Sequence, residues 1–142
     1  MQYDNEAHVF FPAKSENESF ARIFTALFFT PLDPSISEMA DIKTAVSEAV
    51  TNAIIHGYEK KEGQVGLFCA YLGNQIIIRV TDKGKGIENI AQAREPLFTS
   101  KPEMERSGMG FTIMETFMDH IAVESKPDEG TEVIMEKTLM KE

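Results

Sequence analysis

Apolar residues recur along this chain with two different periods, and the switches between them mark out its elements. Residues 7–13 are short and mostly apolar, which reads as a strand ending near Pro12. From Phe20 the apolar positions take helical spacing, with Phe20, Ile23, Phe24, Leu27 and Phe28 on one stripe until Pro31 stops the element. Ser15 followed by Glu18 is a capping-box pattern just ahead of it and puts the N-cap at Ser15. The stripe itself reads as core. A second helix is expected from Asp33-Pro34 or Ser35. Met39, Ile42, Val46, Ala49, Val50 and Ala53 form its apolar side, and Gly57 serves as its C-terminal cap.

The period then falls to two. Residues 64–72 and 75–81 read as strands joined by the two-residue turn Gly73-Asn74. Leu67, Cys69 and Tyr71 lie on one face and Phe68, Ala70 and Leu72 on the other, so part of this sheet is covered on both sides. Residues 82–107 lose any period and are rich in Gly, Pro and charge, with one short helix expected near 89–94. A third helix follows over about 108–119. A last hairpin pairs 120–125 with 131–138 through Lys126-Pro127-Asp128-Glu129-Gly130. Helices segregated from such strands predict an α+β fold: a two-layer α/β sandwich with helices packed on one face of a mixed, mainly antiparallel sheet. The long aperiodic stretch stands out, because such segments inside compact chains are often functional lids.

Composition narrows the picture. No repeat or linker divides the 142 residues, and 1–142 is expected to be one domain. A hydrophobic content of 42% and a charged content of 26% are those of an ordinary globular protein. No run of about 18 apolar residues exists to span a membrane. The start, MQYDNEAHVFF, lacks the basic region and apolar run of a secretory signal. The single Cys69 cannot form an internal disulfide and sits in an apolar strand, as a buried inert thiol would, so a cytoplasmic location is expected. The net charge of −9 argues against direct binding of nucleic acid, which needs clustered Lys and Arg. Any nucleotide site here must build its own local positive potential.

Four short segments carry candidate chemistry. Glu48 and Asn52, four residues apart on the second helix, share one face about 6 Å apart along the axis. Asn supplies a neutral oxygen that suits a hard cation, and Glu supplies a base. Taken alone, the pair is more often an ordinary surface pair. Asp82-Lys83-Gly84-Lys85-Gly86 follows a strand, with a carboxylate that can accept from an exocyclic amine and two glycines that let backbone approach a ligand. Taken alone it is more often a strand-exit turn. Arg106-Ser107-Gly108-Met109-Gly110 opens a helix, where unpaired N–H groups attract phosphate and Arg106 adds charge. Taken alone it is more often a helix-initiating loop capped by Ser107. Gly130-Thr131 begins the last strand, where the hydroxyl can meet a base or its water.

In this order and context, the segments resemble the motif series of the GHKL ATPase/kinase superfamily from about residue 35 to 135. TAVSEAVTNAIIHG (44–57) and EPLFTSKPEMERSGMGFTIMETFMD (95–119) are more similar to one branch, the bacterial anti-sigma factors that are also serine kinases. SENESFAR (15–22) extends the likeness toward the sporulation-specific members. The resemblance implies the GHKL (Bergerat) sandwich and binding of ATP with Mg²⁺. It makes Glu48 the general base, with Arg106 beside it in the catalytic set, and Asn52 the Mg²⁺ ligand. Asp82 would read adenine, and Gly84 and Gly86 would shape the base pocket. Residues 95–107 would be an ATP lid whose Lys101 and Arg106 help neutralise phosphate. Ser107, Gly108, Met109 and Gly110 would form the phosphate loop, and Thr131 would meet the base. Arg94, Lys101 and Arg106 are offset by Glu95, Glu103 and Glu105, so phosphate attraction must come from geometry and not from bulk charge.

The implied partners are a sigma factor, an anti-anti-sigma protein phosphorylated on serine, and a second copy of the chain in a homodimer. The first helix, with Glu16, Glu18 and Arg22 beside its apolar face, is the candidate docking surface. Two other readings compete. One is a nucleotide-sensing module that sequesters a sigma factor without catalysis, which would have no use for Glu48. The other is an isolated histidine kinase catalytic domain, for which His8, His56 and His120 are poor phosphoacceptors. No GxxxxGK[ST], HRD or DFG motif occurs.

Overall fold

The computed structural model describes residues 2–57, 63–84, 94 and 110–140. Strand β1 (Asn5–Pro12) leads into helix α1 (Asn17–Phe29), a 3-10 turn (Thr30–Leu32) and helix α2 (Ile36–Asn52), which runs on as a π-helical turn (Ala53–Gly57). Strands β2 (Gln64–Leu72) and β3 (Gln75–Asp82) form the first hairpin. Helix α3 (Gly110–Phe117) precedes a second hairpin of β4 (His120–Lys126) and β5 (Gly130–Thr138). The five strands lie in the order β1-β2-β3-β5-β4, and all four pairings are antiparallel. Helices packed on this sheet give the expected α+β sandwich, but the sheet of the described residues is wholly antiparallel and not mixed, because each neighbouring pair runs in opposite directions. No described helix is long and apolar enough to cross a membrane.

The sheet buries Leu67, Ile76, Ile78, Val80 and Met135 against Ile42, Val46, Ala49 and Val50 of α2. Cys69 lies in that layer, where burial pushes its thiol up to about 12. On the opposite face, Phe68 carries Arg79 over its ring at 4.7 Å, and Arg79 also donates to the Tyr3 hydroxyl at 3.2 Å.

Helix α1 departs from expectation twice. Its core side is Ala21, Thr25 and Phe29, whereas Phe20, Ile23 and Leu27 are 44%, 64% and 71% exposed. Phe24 and Phe28 only flank the core. Small Ala21 and Thr25 face inward where α1 packs directly on α2 and β2, and Phe29 fills the core at the helix's C-terminal end. The Thr25 hydroxyl is satisfied there by donating to the Ala21 carbonyl at 2.8 Å. The Ser15 capping box is likewise not formed. The helix starts at Asn17 behind Glu16, with no side-chain cap. The Glu18 carboxylate turns instead to Arg22 (3.0 Å) and to the Ser47 hydroxyl of α2 (2.8 Å). A complete capping box is found on α2. The Ser35 hydroxyl accepts from Glu38 N–H at 3.0 Å, and the Glu38 carboxylate accepts from Ser35 N–H at 2.9 Å.

Candidate functional site

The candidate residues gather at one end of the sandwich, where α2 ends and α3 begins above the ends of β3 and β5. The π-helical turn after α2 packs on both strands, so the helix end is fixed to the sheet at that point. Turns of this kind concentrate at functional sites. Glu48 and Asn52 are both half-buried on the last two turns of α2.

Asn52 faces the first residue of α3. A Cβ built on Gly110 would stand 2.9 Å from Asn52 Nδ2 and 3.1 Å from Oδ1, so a larger residue there would push the amide aside from its present place. The N-terminus of an eight-residue helix and a neutral amide thus share one place. Helix-terminal N–H groups favour phosphate, and an amide oxygen favours a hard cation. That donor set fits a metal–phosphate ligand.

The second corner is built on Asp82, which is only 8% exposed. Burial raises its pKa. The backbone N–H groups of Gly84 (2.9 Å to Oδ1) and Thr131 pull it the other way. In the ladder Asp82 pairs with Thr131, and Thr131 pairs in turn with Ser125. Gly130 makes the approach possible. Its φ is +98°, and a Cβ there would lie 2.6 Å from Lys83 Cα and closer still to the Asp82 carbonyl.

Glu48, Asn52, Asp82, Gly84, Gly110 and Thr131 are therefore held at the same end of the fold. Gly86, Lys101, Arg106, Ser107, Gly108 and Met109 lie outside the described residues, as do the short helix near 89–94 apart from Arg94 and the 95–107 segment. Arg94 is turned toward α3, with Nε 2.7 Å from Glu115 Oε1. Ser125 is not among the residues that the sequence points to, whereas Gly130 is named there with Thr131 but without the close approach to Asp82 that it permits. The glycine beginning a strand after a five-residue turn was a signal for Gly130, whereas Ser125 emerges only from the register of two strand pairs.

Comparison with known proteins adds to this geometry. The model of the histidine kinase-like ATPase domain matches residues 11–137. The anti-sigma F factor of Clostridium kluyveri is 58% identical over 137 residues, covering 96% of each chain. That of Clostridium perfringens is 59% identical over 137 residues, covering 96% of this chain and 98% of its own. A crystal structure of the RsbU and RsbW domains of a Mycobacterium tuberculosis protein superposes on 95% of this chain with a TM-score of 0.69 at 20% identity. This chain spans 32% of that longer one, and the likeness speaks to the fold.

Proposed function

This chain belongs to the histidine kinase-like ATPase domain family, where it groups with the anti-sigma F factors. From that premise we propose that it is a cytoplasmic anti-sigma factor and ATP-dependent serine kinase. It binds and inhibits an RNA polymerase sigma factor and phosphorylates its anti-anti-sigma antagonist, acting as a homodimer. What supports the nucleotide reading most is the convergence of the Asn52–Gly110 contact with the Asp82–Thr131 pair at one end of the sandwich. The exposed apolar residues Phe20, Ile23 and Leu27 on α1 suit contact with a protein partner.

In this reading Asp82 and Thr131 take the base, and Gly110, with residues 107–109 before it, takes the phosphates through backbone N–H groups. Asn52 would hold Mg²⁺, whose charge would offset that of the phosphate oxygens. Glu48, one turn before Asn52, would accept the proton of the attacking serine hydroxyl. Phosphoryl transfer is mainly positioning and charge stabilisation, so a carboxylate near the nucleophile and donors around the phosphates are sufficient protein chemistry.

The test is to mix the purified chain with labelled Mg-ATP and an anti-anti-sigma protein and to map the modified residue. Glu48→Gln should lower transfer by about 100-fold or more while ATP still binds. Asn52→Ala should lose the magnesium-dependent part of ATP affinity without changing the thermal melt of the nucleotide-free protein. Unchanged transfer in Glu48→Gln would remove the base assignment. Nucleotide binding with no transfer by the wild type would leave a module that sequesters without catalysis.

A further inference from the structure

Near its end, strand β4 carries a hydroxyl that the nucleotide reading does not use. Ser125 Oγ donates to the Gly130 carbonyl at 2.9 Å and lies 2.8 Å from Thr131 Oγ1. A serine hydroxyl has one hydrogen. With that hydrogen on Gly130 O, the hydrogen in the second bond must come from Thr131. The Thr131 hydroxyl then has only lone pairs left for anything that approaches it.

Asp82, Thr131 and Ser125 are directly opposed across β3, β5 and β4, which puts their side chains on one face. It is the face of Ile76, Ile78 and Val80, one step beyond the apolar row of buried Val80 and Val133 and partly buried Val123. Two backbone N–H groups point at the Asp82 carboxylate and hold it as an acceptor. The row therefore offers a ligand acceptors and no donor. A purine with a 6-amino group brings two hydrogens to such a row, whereas a 6-oxo purine brings an oxygen that faces oxygens.

We propose that Ser125 is a positioning residue for base selection: by accepting the Thr131 hydrogen it fixes that hydroxyl as an acceptor and tunes the pocket to 6-aminopurines. The proposal rests on the nucleotide site assigned above. Its structural alternative is that Ser125 only closes the β4–β5 hairpin through Gly130.

Equilibrium binding of ATP and of inosine triphosphate to the full chain separates the two, since these ligands share ribose and phosphates and differ in the base. The wild type should prefer ATP. Ser125→Ala frees the Thr131 hydroxyl to donate to a 6-oxo group and should cut the ATP-to-inosine-triphosphate affinity ratio about tenfold. Ser125→Thr, which keeps a hydroxyl, should hold the ratio within about twofold of the wild type. In a Thr131→Val background, Ser125→Ala should leave the ratio where it was. Equal weakening of both ligands by Ser125→Ala overturns the proposal in favour of the hairpin role, as does a wild type that binds both alike. A folded wild type that binds neither ligand ends the nucleotide reading itself.

Discussion

At its N-terminal end α2 ties its open backbone groups to side chains and to the end of the chain. Ser35 and Glu38 close the capping box, and the second Glu38 oxygen accepts from Met140 N–H at 2.7 Å. At its other end the same helix widens into a π-helical turn, meets the bare Cα of Gly110, and overlooks a buried carboxylate beside a glycine at φ +98°. One end satisfies local rules with ordinary residues. The other breaks them through close backbone approach and a buried acid. Local rules are broken most often where a ligand must be accommodated. The contrast locates the site as well as any single residue does, and it can be broken from either end.

The largest effect is expected at Gly130. Alanine there meets an unfavourable φ, and its Cβ meets the backbone of Asp82 and Lys83. Strain and clash together should cost about 3 kcal/mol of unfolding free energy, read by denaturant titration. The displaced β3 end should take ATP affinity with it. Gly73→Ala is the control, since Gly73 also has positive φ (+58°) but nothing within 4 Å of an added Cβ. It should cost about 1 kcal/mol and leave nucleotide binding intact. Equal losses in the two variants would mean that close packing against Asp82 matters no more than backbone conformation.

Next in size is the cap. Ser35→Ala removes the acceptor for Glu38 N–H and should cost about 1 kcal/mol with no change in ATP affinity. Ser15→Ala should cost nothing measurable, because the Ser15 side chain caps no helix. From the sequence these two serines carried the same pattern, each with a glutamate three residues on. What separates them is tertiary: Glu18 is drawn off to Arg22 and Ser47, while Glu38 bonds to its own helix start and to Met140 N–H. The α1 stripe departs from its expected burial for a related reason. Periodicity finds the bulkiest face of a helix, but closeness to α2 and β2 decides which face is buried, and here small Ala21 and Thr25 win. On α2, flanked by α1 and α3 and backed by the sheet, bulk and burial coincide, and Ile42, Val46, Ala49 and Val50 were legible in advance. Both hairpins were legible because their turns are short. The Asp82–Thr131–Ser125 row was not, because it depends on the register of three strands, two of them separated in sequence by the long aperiodic stretch.

The smallest and most discriminating effects are in pH dependence, since the carboxylates at the two ends titrate in opposite senses. Backbone N–H donation from Ser35, then from Met140, lowers Glu38 below its ordinary 4.5, so its contribution to stability is present above that pH and is lost as pH falls through the lower folded value. Replacing it with Gln should therefore destabilise at neutral pH, by no more than about 0.5 kcal/mol for so exposed a group, and the deficit should close on acidification. Burial raises Asp82 above its ordinary 3.8, so the folded protein binds that proton more tightly than the unfolded chain does. Its favourable contribution is full below pH 3.8 and is lost as pH rises through the folded value. Asp82→Asn should accordingly gain stability relative to the nucleotide-free wild type as pH climbs through the acidic range, while losing affinity for ATP. Thermal melts of both variants against pH decide the matter. Curves diverging from wild type in opposite directions fit a helix whose one end is built to hold the fold and whose other end keeps an ionised acid buried for a ligand. Parallel curves would make Asp82 a structural carboxylate like Glu38 and remove the reason for its burial.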